Sequence, residues 1–248
     1  MERCAKEWNN VGASQLVNGM FSNAIDSFTR SLRIVRCALP VLATSRCSSS
    51  GPAVPPQRFI AKSRSSFVVR GDNAAGGDAL LQGLYVSPLY LTEIACNDRY
   101  ETMVEASIAV MFNLALAHHL NCLLVYNNPD SSSQQGQRTQ GLSALGRATA
   151  LYELAYTVHM QEETDINVEF TMAIVNNLGQ AHRLTGDDEK ADRCFRHLLS
   201  TMMFLRSCGG GDEEQQRPPW CDKDGSLSEI FTYSVSYLVL RRTAAAAA

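Results

Sequence analysis

Two stretches at opposite ends of the chain place the same residue types at the same intervals. Asn176-Asn177-Leu178-Gly179 leads through Thr185-Gly186 to Ala191 and Phe195, and Trp8-Asn9-Asn10-Val11-Gly12 leads through Gly19 and Phe21 to Ala24 and Phe28. The Gly12-to-Ala24 interval equals the Gly179-to-Ala191 interval. Each stretch reads as two helices around a glycine turn. Leu178, Ala181 and Leu184 share one face of the first helix, and Ala191, Phe195 and Leu198 share one face of the second. A chain that repeats such a unit is bound to stack helix pairs, because one pair cannot bury its apolar faces alone.

The spacing resembles the tetratricopeptide repeat, in which small residues let two antiparallel helices approach and an aromatic fills the gap between them. Trp8 falls where that family favours Trp, Gln15 and His182 stand where it favours Tyr, and His182 reads as a packed histidine. A middle copy, Met111-Phe112-Asn113-Leu114-Ala115-Leu116-Ala117, carries Ala for Gly and finds its second helix only beyond an interruption, at Ala148, Tyr152 and Ala155. The resemblance implies an all-α chain: an α-solenoid of three tetratricopeptide-like helix pairs with long insertions and a C-terminal capping helix. The chain is also similar to short, uncharacterised algal proteins of this repeat that hold a Phe-Asn-Leu-Ala-Leu-Ala-His-His-Leu run, here Phe112 to Leu120. Those proteins carry no activity to transfer.

Laid out in order, the reading is one domain over 1–248, with repeats at about 5–38, 108–162 and 172–205. The first pair spans 3–18 and 21–37, ended by Pro40, with Trp8, Val11, Leu16, Ile25, Phe28 and Leu32 inward. Residues 39–97 form a flexible, basic Ser/Gly/Pro-rich insertion, with short extended pieces at Phe67-Val68-Val69 and Leu84-Tyr85-Val86. A helix from Asp98 to Tyr126 repeats Val104, Ile108, Met111, Ala115 and Cys122 toward a core. It is followed by a polar loop at Ser131–Gln140 and a partner helix at Ser143–Met160. The last pair takes 166–185 and 188–206. A capping helix within 226–242 offers Ile230, Tyr233, Val235, Tyr237 and Leu238 to cover the end of the stack.

Composition suits a folded domain, with 248 residues, 45% hydrophobic and 19% charged. The N-terminal residues are too polar for a signal peptide, and the longest apolar run, near Ile108–Tyr126, is interrupted by Asn113, His118, His119 and Asn121. That run reads as a core helix, so no membrane partner is expected. The cysteines stand singly, without Cys-x-x-Cys spacing, and read as reduced thiols of an intracellular, cytoplasmic or nuclear, protein.

The sequence shows no phosphate loop, nucleophile elbow or triad order, and no catalytic residue or cofactor site is expected. His118, His119 and Cys122 share a helix but lack the converging second cluster that a metal needs. The Arg70-Gly71-Asp72 tripeptide reads as coincidence. Between Ser27 and Gly71 there are eight basic and no acidic residues, which gives an alternative reading as a nucleic-acid or anionic-surface binder. Few aromatics interleave them. A carboxylate clamp of the co-chaperone kind is disfavoured, because Asn9, Ala13, Ala173 and Asn177 stand where the clamp needs its Lys, Arg and Asn, and only Asn113 matches.

The favoured function is a non-catalytic adaptor that binds a protein or an extended peptide. In each copy an Asn precedes the apolar-small pair: Asn10, Asn113 and Asn177. Standing about 100° round the helix from the residue that meets the partner helix, it faces the concave side of a solenoid. A carboxamide donates and accepts, so it can hold a peptide backbone without choosing side chains. Asn9, Asn176, His119 and Arg183 are neighbours that could set ligand preference. Bonds from these Asn residues to neighbouring helices or loops remain the alternative.

Overall fold

The computed structural model describes residues 2–46, 83–91, 99–127, 134–161, 168–208, 231 and 233–236. Among them every regular element is a helix: α1 (Glu2–Val17), α2 (Phe21–Arg46), α3 (Arg99–Asn127), α4 (Gln134–Gln161), α5 (Val168–Thr185) and α6 (Asp188–Cys208). Residues 84–91 are neither helix nor turn, and 231 and 233–236 are helical.

The sequence reading treats 1–248 as one domain, whereas the packing divides the chain into two compact units. The first holds α1 to α4 with residues 86–91. The second holds α5, α6, residues 83–85 and the helical residues 231 and 233–236.

The two tight hairpins are built alike. Gly19 and Gly186 take φ of 72° and 77°, the left-handed conformation that ends a helix at low cost when no Cβ is present. Around them the same bonds recur: Gly19 N–H to Leu16 and Met20 N–H to Gln15, then Gly186 N–H to Arg183 and Asp187 N–H to His182. Asp187 also accepts from the Lys190 N–H at 3.2 Å, capping α6. The hydrogen bonds and the charge of Lys190 hold its carboxyl below the usual range.

The small residues act as close-approach points. A Cβ on Gly12 would stand 2.7 Å from the Phe28 ring, and one on Gly179 would stand 2.5 Å from the Phe195 ring. Ala24, Phe28, Ala191 and Phe195 are all fully buried. Because Gly12 is the residue against α2, Val11 beside it points away, 44% exposed rather than inward as its hydrophobicity suggests.

In the first unit α3 packs against α1, α2 and α4 and is enclosed on all sides, with residues 106–120 buried without interruption. Met103–Val125 is apolar and long enough to cross a membrane, but 83% of its most apolar window is buried within the protein. Phe112 and His119 of α3 meet Tyr152 of α4, with ring centroids 5.7 and 6.1 Å away.

Three boundaries differ from the sequence reading. Pro40 does not end α2, which runs on to Arg46. An interior Pro costs about 3 kcal/mol, offset here where Val35, Ala38, Leu39 and Leu42 pack with Ala5 and Met103. Helix α4 starts at Gln134, inside the stretch read as a polar loop. The 39–97 insertion is thus partly structured, with residues 39–46 helical and 83–91 held in defined contacts. Phe67–Val69 and the basic residues Arg58, Lys62, Arg64 and Arg70 lie outside the described residues. Of the capping stretch, Phe231 and Ser234 are buried, while Tyr233 is 37% exposed.

Candidate functional site

The Asn residues singled out by their spacing lie on α1, α3 and α5, and they do bind an extended backbone. It is the chain's own residues 83–91. In the first unit, Asn10 takes Leu91 at both ends of its backbone: the Leu91 N–H donates to Asn10 Oδ1 at 2.8 Å, and Asn10 Nδ2 donates to the Leu91 carbonyl at 2.9 Å. Asn113 treats Leu89 in the same way, at 2.8 Å in each direction. Asn9 Nδ2 adds a second bond to the Leu89 carbonyl at 2.9 Å, and its Oδ1 accepts from Asn113 Nδ2 at 2.9 Å.

In the second unit, Asn177 repeats the two-ended grip on Tyr85, accepting from its N–H and donating to its carbonyl, both at 2.8 Å. Asn176 Nδ2 donates to the Gly83 carbonyl at 2.6 Å. Asn176 Oδ1 is buried and has no hydrogen-bond partner among the described residues.

The geometry explains why the residue is Asn. A carboxamide reproduces the donor and acceptor of a peptide group, so on a helix face it pairs with one extended residue as a neighbouring strand does. Ser or Asp at the same place would leave one end of that residue unpaired. Leu89 and Leu91, two apart, present their N–H and C=O to the same side, as an extended chain requires. Pro88 between the Asn-held residues removes an N–H that would need a partner and restrains Ser87 to extended conformations.

Side chains of the segment contribute burial. Leu84, Leu89 and Leu91 are 3%, 6% and 3% exposed. At the Gly83 end the chain turns with φ 82°, and a Cβ there would lie 2.5 Å from Tyr233 and 2.8 Å from Gln180. Gln180 Nε2 donates to Ser234 Oγ at 2.8 Å, and Ser234 Oγ donates to the Gly83 carbonyl at 3.3 Å.

One of the proposed neighbours does not join this contact set. His119 is fully buried on α3, with neither ring nitrogen hydrogen-bonded among the described residues, and burial lowers its pKa to about 3. It sits a turn and a half from Asn113, facing Tyr152, so its role is packing. Arg183 lies half-buried in the last turn of α5, two turns beyond Asn176. His118 is lowered to about 4 by burial and by the Arg147 charge, and burial pushes the Cys122 thiol up to about 11.

The sequence reading omitted Gly83, Pro88, Leu89, Leu91, Gln180 and Ser234. The alternation Leu89-x-Leu91 after a Pro was a legible signal of an extended, half-buried segment, whereas Gln180 and Ser234 carry no local signature. No family model, curated protein or solved structure matches the chain.

Proposed function

We propose that this chain is a non-catalytic adaptor of tetratricopeptide-like helix pairs that holds extended peptide of a partner protein through the Asn faces of α1 and α3 in the first unit and, separately, of α5 in the second. The observation that carries the reading is the two-ended amide grip, made three times with the same geometry on Leu91, Leu89 and Tyr85. It is chemistry suited to binding backbone. The matching Gly–Phe contacts and turns of the first and last pairs support the tetratricopeptide-like assignment.

A carboxylate clamp is not favoured. Asn9, Ala13, Ala173 and Asn177 are buried and uncharged, so they offer no ion pair to a terminal carboxylate. Binding of polyanions through α2 is the weaker second reading: Arg30, Arg33 and Arg36 are exposed, but the Arg30 guanidinium already lies 4.6 Å over the Trp8 ring.

The test is selection of random displayed peptides, at high peptide concentration, on the full chain and on its Asn10→Ala, Asn113→Ala, Asn177→Ala triple variant. Enrichment on the parent that is lost on a variant with unchanged helical circular dichroism is the expected result. Equal enrichment on both would remove the Asn faces as the binding surface.

A further inference from the structure

We propose that residues 86–91 on the first unit, and 83–85 on the second, are built-in competitors, and that the partner peptide which displaces residues 86–91 is an extended apolar segment of the same pattern, with Leu at alternate positions after a Pro. This rests on the adaptor reading and adds to it a ligand class and a mode of regulation.

Three observations support it. The grip on Tyr85, Leu89 and Leu91 is made to main-chain atoms, so it does not distinguish this segment's backbone from that of any other extended chain. Discrimination falls instead to the buried side chains, Pro88, Leu89 and Leu91 in the first unit and Leu84 in the second, each considered within its own unit. That is the division of labour of strand-type peptide recognition, with main-chain bonds for affinity and alternate side chains for specificity.

The second unit leaves one amide half-used. In the first unit the Asn9 Nδ2 donates to the Leu89 carbonyl, while its Oδ1 accepts from Asn113 of α3 rather than from the segment. Its counterpart Asn176 donates to Gly83 but leaves a buried Oδ1 without a hydrogen-bond partner among the described residues, where the chain turns away at φ 82°. A peptide that runs straight on past this point, instead of turning, brings an N–H toward that oxygen.

Residues 47–82 precede Gly83 in the chain and 92–98 follow Leu91, so the segment stays tethered at both ends when it leaves its Asn partners. While attached, it competes as a tethered ligand with an effective concentration on the order of millimolar, so the uncovered amides bind external peptide far more tightly than the covered ones.

The experiment uses the full chain with residues 84–91 replaced by Gly and Ser, and a fluorescein-labelled synthetic peptide of residues 82–92, read by anisotropy. Saturable binding to the replaced chain is expected, weakened by about tenfold or more on the unaltered chain, where the segment competes. Binding should be lost when Asn113→Ala is added, and a peptide of scrambled order should bind at least about tenfold more weakly. Equal binding to both chains with retained Asn113 dependence would overturn the competitor while leaving the adaptor reading in place. Equal binding of the scrambled peptide would overturn the ligand class alone. A folded replaced chain that binds neither peptide would overturn both. Should the replaced chain fail to fold, hydrogen exchange on the unaltered chain decides. Leu89 and Leu91 amides that exchange well before the α3 core support a displaceable segment, whereas exchange only with global unfolding makes it a structural staple and overturns the proposal. A dimer in light scattering that dissociates on adding the peptide would assign the site to a second copy of the chain and overturn the external partner.

Discussion

The middle helix pair, α3 with α4, and the two end pairs, α1 with α2 and α5 with α6, solve the same packing problem with different residues. Each end pair closes with a Gly against a Phe. The middle pair has Ala115 in place of the Gly and a Tyr, Tyr152, in place of the Phe, and it places His119 where the first pair has Leu16. The end pairs are therefore sensitive to volume at one backbone position. The middle pair is sensitive to charge, because its core contains an imidazole whose nitrogens find no hydrogen-bond partner among the described residues.

Acid should separate them most. The folded-state pKa values of His119 and His118, about 3 and about 4, lie below the ordinary 6.5. Their neutral forms favour the fold above pH 6.5, and that contribution is lost as pH falls toward the folded values, because the unfolded chain takes up protons first. Unfolding free energies from urea titration should drop between pH 6.5 and 4 by an amount on the order of a few kcal/mol. His119→Leu should flatten that slope; an unchanged slope would show that His119 is not its source.

Steric exchange at the small position should come next, with opposite demands in the two kinds of pair. Gly179→Ala and Gly12→Ala each force a methyl into a Phe ring and should cost about 1–3 kcal/mol. Ala115→Gly, at the matching place in the middle pair, should cost only about 0.5–1 kcal/mol through backbone freedom. Chemical denaturation of the three variants checks the ranking, and a tolerated Gly179→Ala would refute the close approach of α5 and α6.

The Asn positions sharpen the comparison, since they are what all three pairs share. Asn113→Ala removes two bonds to Leu89 and one to Asn9, and Asn177→Ala removes two bonds to Tyr85 and one from Asn176. Each lost bond is worth about 0.5–1.5 kcal/mol, so the two positions should cost a similar amount. Faster amide exchange at Leu89 in the first variant and at Tyr85 in the second should accompany the loss.

The smallest effects lie at helix ends and exposed glycines. The third pair caps α6 with Asp187, while the first pair begins α2 after Met20, which offers no capping oxygen. Asp187→Ala should lower the melting temperature slightly and Met20→Asp should raise it. Gly146→Ala, in α4 with open space at its Cβ, should stabilise by about 0.5–1 kcal/mol. Thermal melts resolve each.

Much of this was legible without coordinates. The small residues, the turn glycines at 19 and 186 and the aromatics at 28, 152 and 195 act over a few residues, so spacing alone assigns them. Local rules were overruled where tertiary burial outweighed them: the packing of Val35, Ala38, Leu39 and Leu42 with Ala5 and Met103 carries α2 past Pro40, and Val11 turns outward because its neighbour Gly12 meets Phe28. The unbroken burial of residues 106–120 likewise exceeds the single apolar face that the α3 periodicity suggests.

For the Asn residues the division is sharpest. Sequence spacing determined that Asn10, Asn113 and Asn177 present amides fit for an extended backbone, because side-chain direction on a helix follows from its period. Only the tertiary structure decided what they hold. A carboxamide pairs with any extended residue alike, and Tyr85, Leu89 and Leu91 reach it from up to 92 positions away along the chain. No local pattern encodes that meeting; it depends on where the fold returns the chain.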